Sequence, residues 1–493
     1  MSSQFQGVFY LTMTTTSVSN PPSKVASRGP SILQMALSAF FAFILLGAAV
    51  VFVITGVSQF FSTGSASPEI TQAFMVAASL AFAGALVIPS AWYAWKNIAH
   101  PEEQPASKPE PRKLGLVLTL ITLVGSGLAL WIGNMVAGND QIAWLILPPL
   151  NIIATGLPAL WVIYFGTRGL LPNPPRHIWG VFASGLVLGP LIILVIELFM
   201  LVGAGILAII SIMLDPTLAP QLQGLVYEMQ NLGINPQALL DSILPFLLNP
   251  GVLFIGASFV AVLVPLVEEL IKPIGVWFMA GQKITPAQGF GFGVLSGAGF
   301  GLFENLGNTS AGGQSWALLA GSRISTLFLH SFTAGLVGWA LAFAWSERRF
   351  LRLAITFIIA VLIHGLWNGM AVLSAAASLD SVVAISLPTW FQQLGNLAAV
   401  GIFILGLVVV ICFFGFNANL RKNYPTTLSP AGVATIHHPD SLLATSESSL
   451  DGPSSEGSLP INPPPASGGP SSSDIDPSLP ELSENPQQSE TNS

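Results

Sequence analysis

The chain has 493 residues, of which 52% are hydrophobic and only 8% charged, with a formal net charge of −7 and a mean hydropathy of +0.70. A soluble domain carries roughly 25% charged residues, so this composition excludes a soluble globular protein and calls for a polytopic membrane protein. The single cysteine, Cys412, excludes an intrachain disulfide framework and a Cys-rich zinc site, and the lack of a basic stripe leaves no expectation of a nucleic-acid partner.

Taken in chain order, residues 1–30 are polar and Ser/Thr-rich and are expected to be disordered. Apolar runs of about 20 residues or more mark candidate transmembrane helices. About ten follow, at 31–57, 70–95, 114–136, 141–165, 178–214, 251–280, 287–307, 316–345, 351–375 and 394–418. The first is too long for a signal-peptide core and has no small-residue cleavage site, so it counts as a span. Residues 215–250 form one sizeable loop segment in which Leu222, Leu225, Met229 and Leu232 are spaced as on one helix face. Residues 419–493 are rich in Pro, Ser and acidic residues and read as a disordered tail. The expected fold is therefore an all-α polytopic membrane protein embedded in the lipid bilayer. A plain N-terminal half (31–214) is set apart from a C-terminal core (251–418).

Basic residues alternate between the loops. Lys24, Arg28, Lys96, Lys108, Arg112, Lys113, Arg168, Arg176, Lys283, Arg348, Arg349, Arg352, Arg421 and Lys422 all fall on one side of a ten-span topology. The intervening loops carry no Lys or Arg. By the positive-inside rule both termini are expected in the cytoplasm.

Four polar signatures interrupt the C-terminal core: Glu268-Glu269-Leu-Ile-Lys272, Phe300-Gly-Leu-Phe-Glu304-Asn305, His330, and His364-Gly-Leu-Trp367-Asn368. Ionisable groups at membrane depth are expensive and normally face a bundle interior or a watery cavity. In a helix Glu268 and Glu269 both lie within one turn of Lys272. An ion pair accounts for one glutamate and the lysine, and leaves a second carboxylate available as a general base. Glu304 has no basic residue within a turn, so its partner must be another helix, a metal or water. The two histidines lie on consecutive helices at comparable depth, where neutral imidazole can ligate a metal or move a proton. Asn368, one turn after His364, can donate to a developing oxyanion or to a neighbouring helix. The glycines of Gly289-Phe-Gly-Phe-Gly293 and Gly297-Ala-Gly-Phe-Gly301 are expected to be packing devices. Glu197 is a lone intramembrane acid with no nearby partner in sequence, and Arg323 lies at the start of its span, within reach of an acidic core residue.

In this order and on successive helices, these motifs resemble the PrsW family of intramembrane proteases. That family is itself similar to the CAAX prenyl endopeptidase and bacteriocin-processing group. The resemblance covers about 251–375. It implies hydrolysis of a membrane-protein substrate at or near the bilayer, as in the outer-side cut of a single-pass anti-sigma factor, in the plasma membrane of a bacterium. Two mechanisms fit. In one, Glu304, His330 and His364 hold zinc while Glu268, Glu269 and Asn368 are catalytic, with Lys272 and Asn305 in support. In the other, a glutamate and a histidine activate water without a metal. A non-catalytic membrane scaffold and an ion-coupled transporter are the competing functions. No inverted repeat supports the transporter.

Overall fold

The computed structural model describes residues 28–100, 113–171, 174–231, 242–243, 245–247, 249–383, 389–428 and 434–436. These belong to one compact unit. Eleven helices carry nearly all of it: α1 (Gly29–Thr63), α2 (Pro68–Ala99), α3 (Leu114–Val136), α4 (Asp140–Thr167), α5 (Pro175–Met213), α6 (Ala219–Asn231), α7 (Pro250–Trp277), α8 (Pro286–Ser310), α9 (Trp316–Glu347), α10 (Phe350–Val383) and α11 (Thr389–Asn423). A two-stranded antiparallel ribbon follows, with Thr426–Leu428 paired to Ala434–Ile436. Helix α11 thus continues past the expected boundary at 418, while the remainder of the tail and residues 1–27 lie outside the described residues.

Among the described residues, nine helices are both long and apolar enough to cross a membrane. The tenth expected span is present as α8, 25 residues long and so about 37 Å at 1.5 Å per residue. Its glycines lower its hydropathy, and its surroundings explain why that is tolerated. Nearly every residue from Pro286 to Leu302 is buried, so protein rather than lipid solvates it. The chain is a multi-pass integral membrane protein whose least apolar long helix is also its most enclosed. The outer ring (α1, α3, α5, α11) presents large apolar side chains such as Phe43, Leu123, Phe199 and Phe403 outward, as a lipid-facing surface requires. Cys412 is exposed among them.

Helix α8 starts with Pro at its first turn and a capping box between Thr285 and Gln288. It packs on α9 through a stripe of small residues. A Cβ at Gly289 would overlap the Gly338 carbonyl, one at Gly293 the Ala334 carbonyl, and one at Gly297 the His330 carbonyl. The expected packing role of these glycines is met at one-turn intervals. The opposite face of α8 approaches α5 as closely: Gly185 lies against the Ser296 backbone, and Gly299 against Phe182 and Leu186.

Helices α5 and α7 are each interrupted by a π turn, at Ser184–Leu188 and Phe259–Leu263. Each turn immediately precedes a proline region, Pro190 and Pro265. Proline lacks an N–H and its ring collides with the carbonyl four residues back, so the helix widens there. Helix α7 breaks again at Lys272-Pro273.

The amphipathic expectation for 215–250 corresponds to α6, with Leu222 and Leu225 partly buried and Gln221 and Gln223 exposed; Leu232 lies outside the described residues. The base of this segment is closed by Asp215 and Asn249. Asn249 Nδ2 donates to Asp215 Oδ2 (3.3 Å), while Asn249 Oδ1 caps the first turn of α7.

Candidate metal centre

Helices α7, α8, α9 and α10 bring the four polar signatures together. The break at Lys272-Pro273 lets α7 end against α8, where Ser296 Oγ donates to the Lys272 carbonyl (2.5 Å) and accepts from Gly275 N–H (3.3 Å). Lys272 is completely buried. Its ammonium lies 2.8 Å from Glu268 Oε2 and 2.9 Å from Glu269 Oε1, with Phe300 beneath it at 4.9 Å. One buried cation between two carboxylates satisfies the requirement that buried charge be paired.

The histidine rings face each other at 5.3 Å, edge to face. Each is backed by a carboxylate. His364 Nδ1 lies 2.9 Å from Glu269 Oε1, and His330 Nε2 lies 2.7 Å from Glu304 Oε2. The Lys272 ammonium donates to Glu269 Oε1 and forms an ion pair with Glu268 Oε2. His364 Nδ1 also lies 3.2 Å from that ammonium; as the Nδ1–H tautomer His364 donates to Glu269 and turns its Nε2 lone pair toward Glu268 at 3.8 Å. Glu304 is also held by Arg323 across 2.6 Å. Asn305 fastens Arg323 in turn: its Oδ1 accepts from Nε (2.8 Å) and its Nδ2 donates to the Arg323 carbonyl (2.9 Å). The interhelical partners that the isolated Glu304 required are thus Arg323 and His330.

The grouping differs from the expected ligand set in one member. Ligand atoms of Glu268, His330 and His364 lie within 4.8 Å of one another. Glu304 sits instead at the rim, its side chain 30% exposed and shared between Arg323 and His330. Asn368 is placed elsewhere. Its Nδ2 donates to the Val260 carbonyl (3.2 Å) inside the π turn of α7, where the widened helix frees an acceptor. Gly365 lies against the next carbonyl, that of Ala261.

The donor set fits a metal ion. Glu268 Oε2 and both nitrogens of His330 are buried without a hydrogen bond of good geometry. Two imidazoles and one carboxylate form a set that holds zinc in hydrolytic centres with a fourth position open. Three carboxylates (Glu268, Glu269, Glu304) against two cations (Lys272, Arg323) also leave an excess of negative charge, which a divalent ion offsets. Glu197 of α5 lies close to this cluster. It interacts electrostatically with Glu268, Glu304 and Lys272, and its Oε1 is buried without a partner. Sequence reasoning set it aside as a lone acid because its neighbours lie about 70 residues or more away along the chain.

Residues 173–392 match the family model of the PrsW family intramembrane metalloproteases. Over that stretch the chain is similar to this family of intramembrane metalloproteases. All four polar signatures lie in the matched region, which also takes in α5 and Glu197, upstream of the core delimited from sequence. The PrsW assignment makes the domain a hydrolase with a metal cofactor and a membrane-protein substrate. No curated protein and no solved structure matches the chain.

Proposed function

We propose that the PrsW-family domain binds zinc through Glu268, His330 and His364 and cleaves a single-pass membrane protein near the outer face of a bacterial plasma membrane. The single observation that supports this most is the convergence of those three side chains from three helices, with ligand atoms within 4.8 Å. When bound, the metal lowers the proton affinity of a water molecule and polarises the scissile carbonyl.

The protein's own groups divide the remaining work. Glu269 holds His364 as its Nδ1–H tautomer and so directs Nε2 to the metal side. Glu304 meets His330 at Nε2 instead, and so leaves Nδ1 for the metal side. As the rim carboxylate it accepts the proton from the attacking water and returns it to the leaving amine. Lys272 pairs with Glu268 and Glu269, and Arg323, clamped by Asn305, holds Glu304 in place. The outward location is supported by the distribution of basic loops, which by the positive-inside rule favours both termini in the cytoplasm and the Glu304–Arg323 end of α8 and α9 in the outer half of the membrane. An anti-sigma factor-like protein is the substrate type that this placement suits.

Two substitutions separate this assignment from the exchanged one, in which Glu304 is the ligand and Glu268 the base. Purified Glu268→Gln should lose its stoichiometric metal, whereas Glu304→Gln should keep it and lose about 10²-fold or more in cleavage rate. Metal content by elemental mass spectrometry and fragments of single-pass proteins in native membranes provide the two readouts. Metal retained in Glu268→Gln and lost in Glu304→Gln would reverse the roles. Cleavage unaffected by chelation and by both substitutions would rule out the protease reading of this site.

A further inference from the structure

A second site lies away from the metal centre. Helices α1, α2 and α5 and the end of α7 enclose a cavity of about 280 Å³. Its walls are apolar, formed by Leu37, Phe41, Val87, Val187 and Met279 among others. One end is polar and offers donors. Arg176 is half-buried there and donates to Ser31 Oγ, with no carboxylate paired to it among the described residues. Arg176 Nη2 lies 2.7 Å from His177 Nε2. A guanidinium has only donors, so His177 Nε2 must accept and its proton sits on Nδ1. That Nδ1–H is buried and has no acceptor. The cavity therefore joins a cation that no carboxylate neutralises to an apolar chamber. Burying a charge without a counter-charge is costly, and an anionic head with an attached hydrocarbon chain satisfies both ends at once.

The cavity lies at the end of the helix bundle where the basic loops gather, with Lys96 and Arg168 closing neighbouring helices. At that level a lipid head group is available and a bulk aqueous solute is not favoured by the apolar walls.

We propose that this cavity binds an anionic phospholipid, its phosphate on Arg176 and His177 and the start of one acyl chain along Leu37, Phe41 and Val187. The shared chemistry, a phosphate oxyanion, also belongs to free phosphate, so the test separates the two. The full chain, purified in detergent, would be titrated with dioleoyl phosphatidylglycerol, with dioleoyl phosphatidylcholine and with inorganic phosphate, and adducts counted by native mass spectrometry. One phosphatidylglycerol per chain should be retained about tenfold more tightly than phosphatidylcholine, as a charge-assisted contact of that strength gives. Arg176→Gln should abolish the preference. Leu37→Trp, on a partly exposed wall residue, should fill the chamber and remove retention of both lipids. Each variant must elute as the wild type does. Equal retention of the two lipids by the wild type, or a preference unaltered by Arg176→Gln, would overturn the proposal. So would inorganic phosphate displacing phosphatidylglycerol, which would make this a free-anion site.

Discussion

Asn368 shows how one polar side chain on an intramembrane helix can have two very different uses. Donation to an oxyanion would make its loss cost about 10²–10³-fold in turnover. Donation to the Val260 carbonyl (3.2 Å) makes it a clasp between α10 and α7, with a net contribution of about 1 kcal/mol. Asn368→Ala should therefore lower the unfolding midpoint in detergent while changing turnover by less than about tenfold; a 10²-fold fall at unchanged stability would restore the oxyanion role. Glu269 is the opposite case. It is fully buried behind His364 and touches no opening, yet it determines the tautomer. Glu269→Gln should weaken metal binding by about 10–100-fold, measured by competition with a chelating dye, and an unchanged affinity would show that His364 is not a ligand. At this scale the sequence picked out the polar side chains that the structure brings together. It could not say which carboxylate faces which histidine, because helical spacing fixes neighbours only within one helix. Hence Glu304, expected with both histidines, meets His330, while Glu268 lies with both, and Glu197 was set aside as a lone acid.

Among the elements, α8 illustrates what hydropathy misses. Its Gly-rich sequence reads as a weak span, yet it is the most enclosed helix because glycine permits the approach of α9 and α5. Gly293→Ala would drive a methyl group into the Ala334 carbonyl, with a cost of about 1–3 kcal/mol as for other overpacked interiors. Gly307→Ala, on the same helix with nothing within 4 Å, should be neutral or slightly stabilising. Thermal unfolding of the two variants side by side checks this, and equal midpoints would refute the close-packing account. The prolines of α5 and α7, Pro190 and Pro265, are visible in the sequence. The π turns before them are not, because whether a helix bends or widens at proline depends on the neighbours that pack there. Here Asn368 donates to the Val260 carbonyl of α7 and Gly365 leaves room for that of Ala261.

For the molecule as a whole, the ten-helix count was legible because membrane thickness sets helix length. The relation of the two halves was not, since it rests on contacts between distant segments. Trp316, fully buried, donates to Asn151 Oδ1 (3.0 Å). Asn151 Nδ2 donates to Ser79 Oγ (3.2 Å), and Ser79 meets Ser310 at 3.0 Å. This chain ties α2 and α4 to α8 and α9, so the helices before residue 173 are part of the support of the metal centre. Trp316→Phe leaves Asn151 Oδ1 buried without its donor and should cost about 1–3 kcal/mol. Trp131→Phe, at a 62% exposed position, should cost little; indistinguishable unfolding of the two would deny the network its structural role.

The glycine seam between α8 and α9 also restricts how a substrate can arrive. Gly297 touches the carbonyl of His330 itself, so those helices cannot part without unwinding the turn that carries the histidine. A transmembrane segment is thereby denied passage along that side. The sides left to it include the lipid-facing α5 and α7, each with a widened turn.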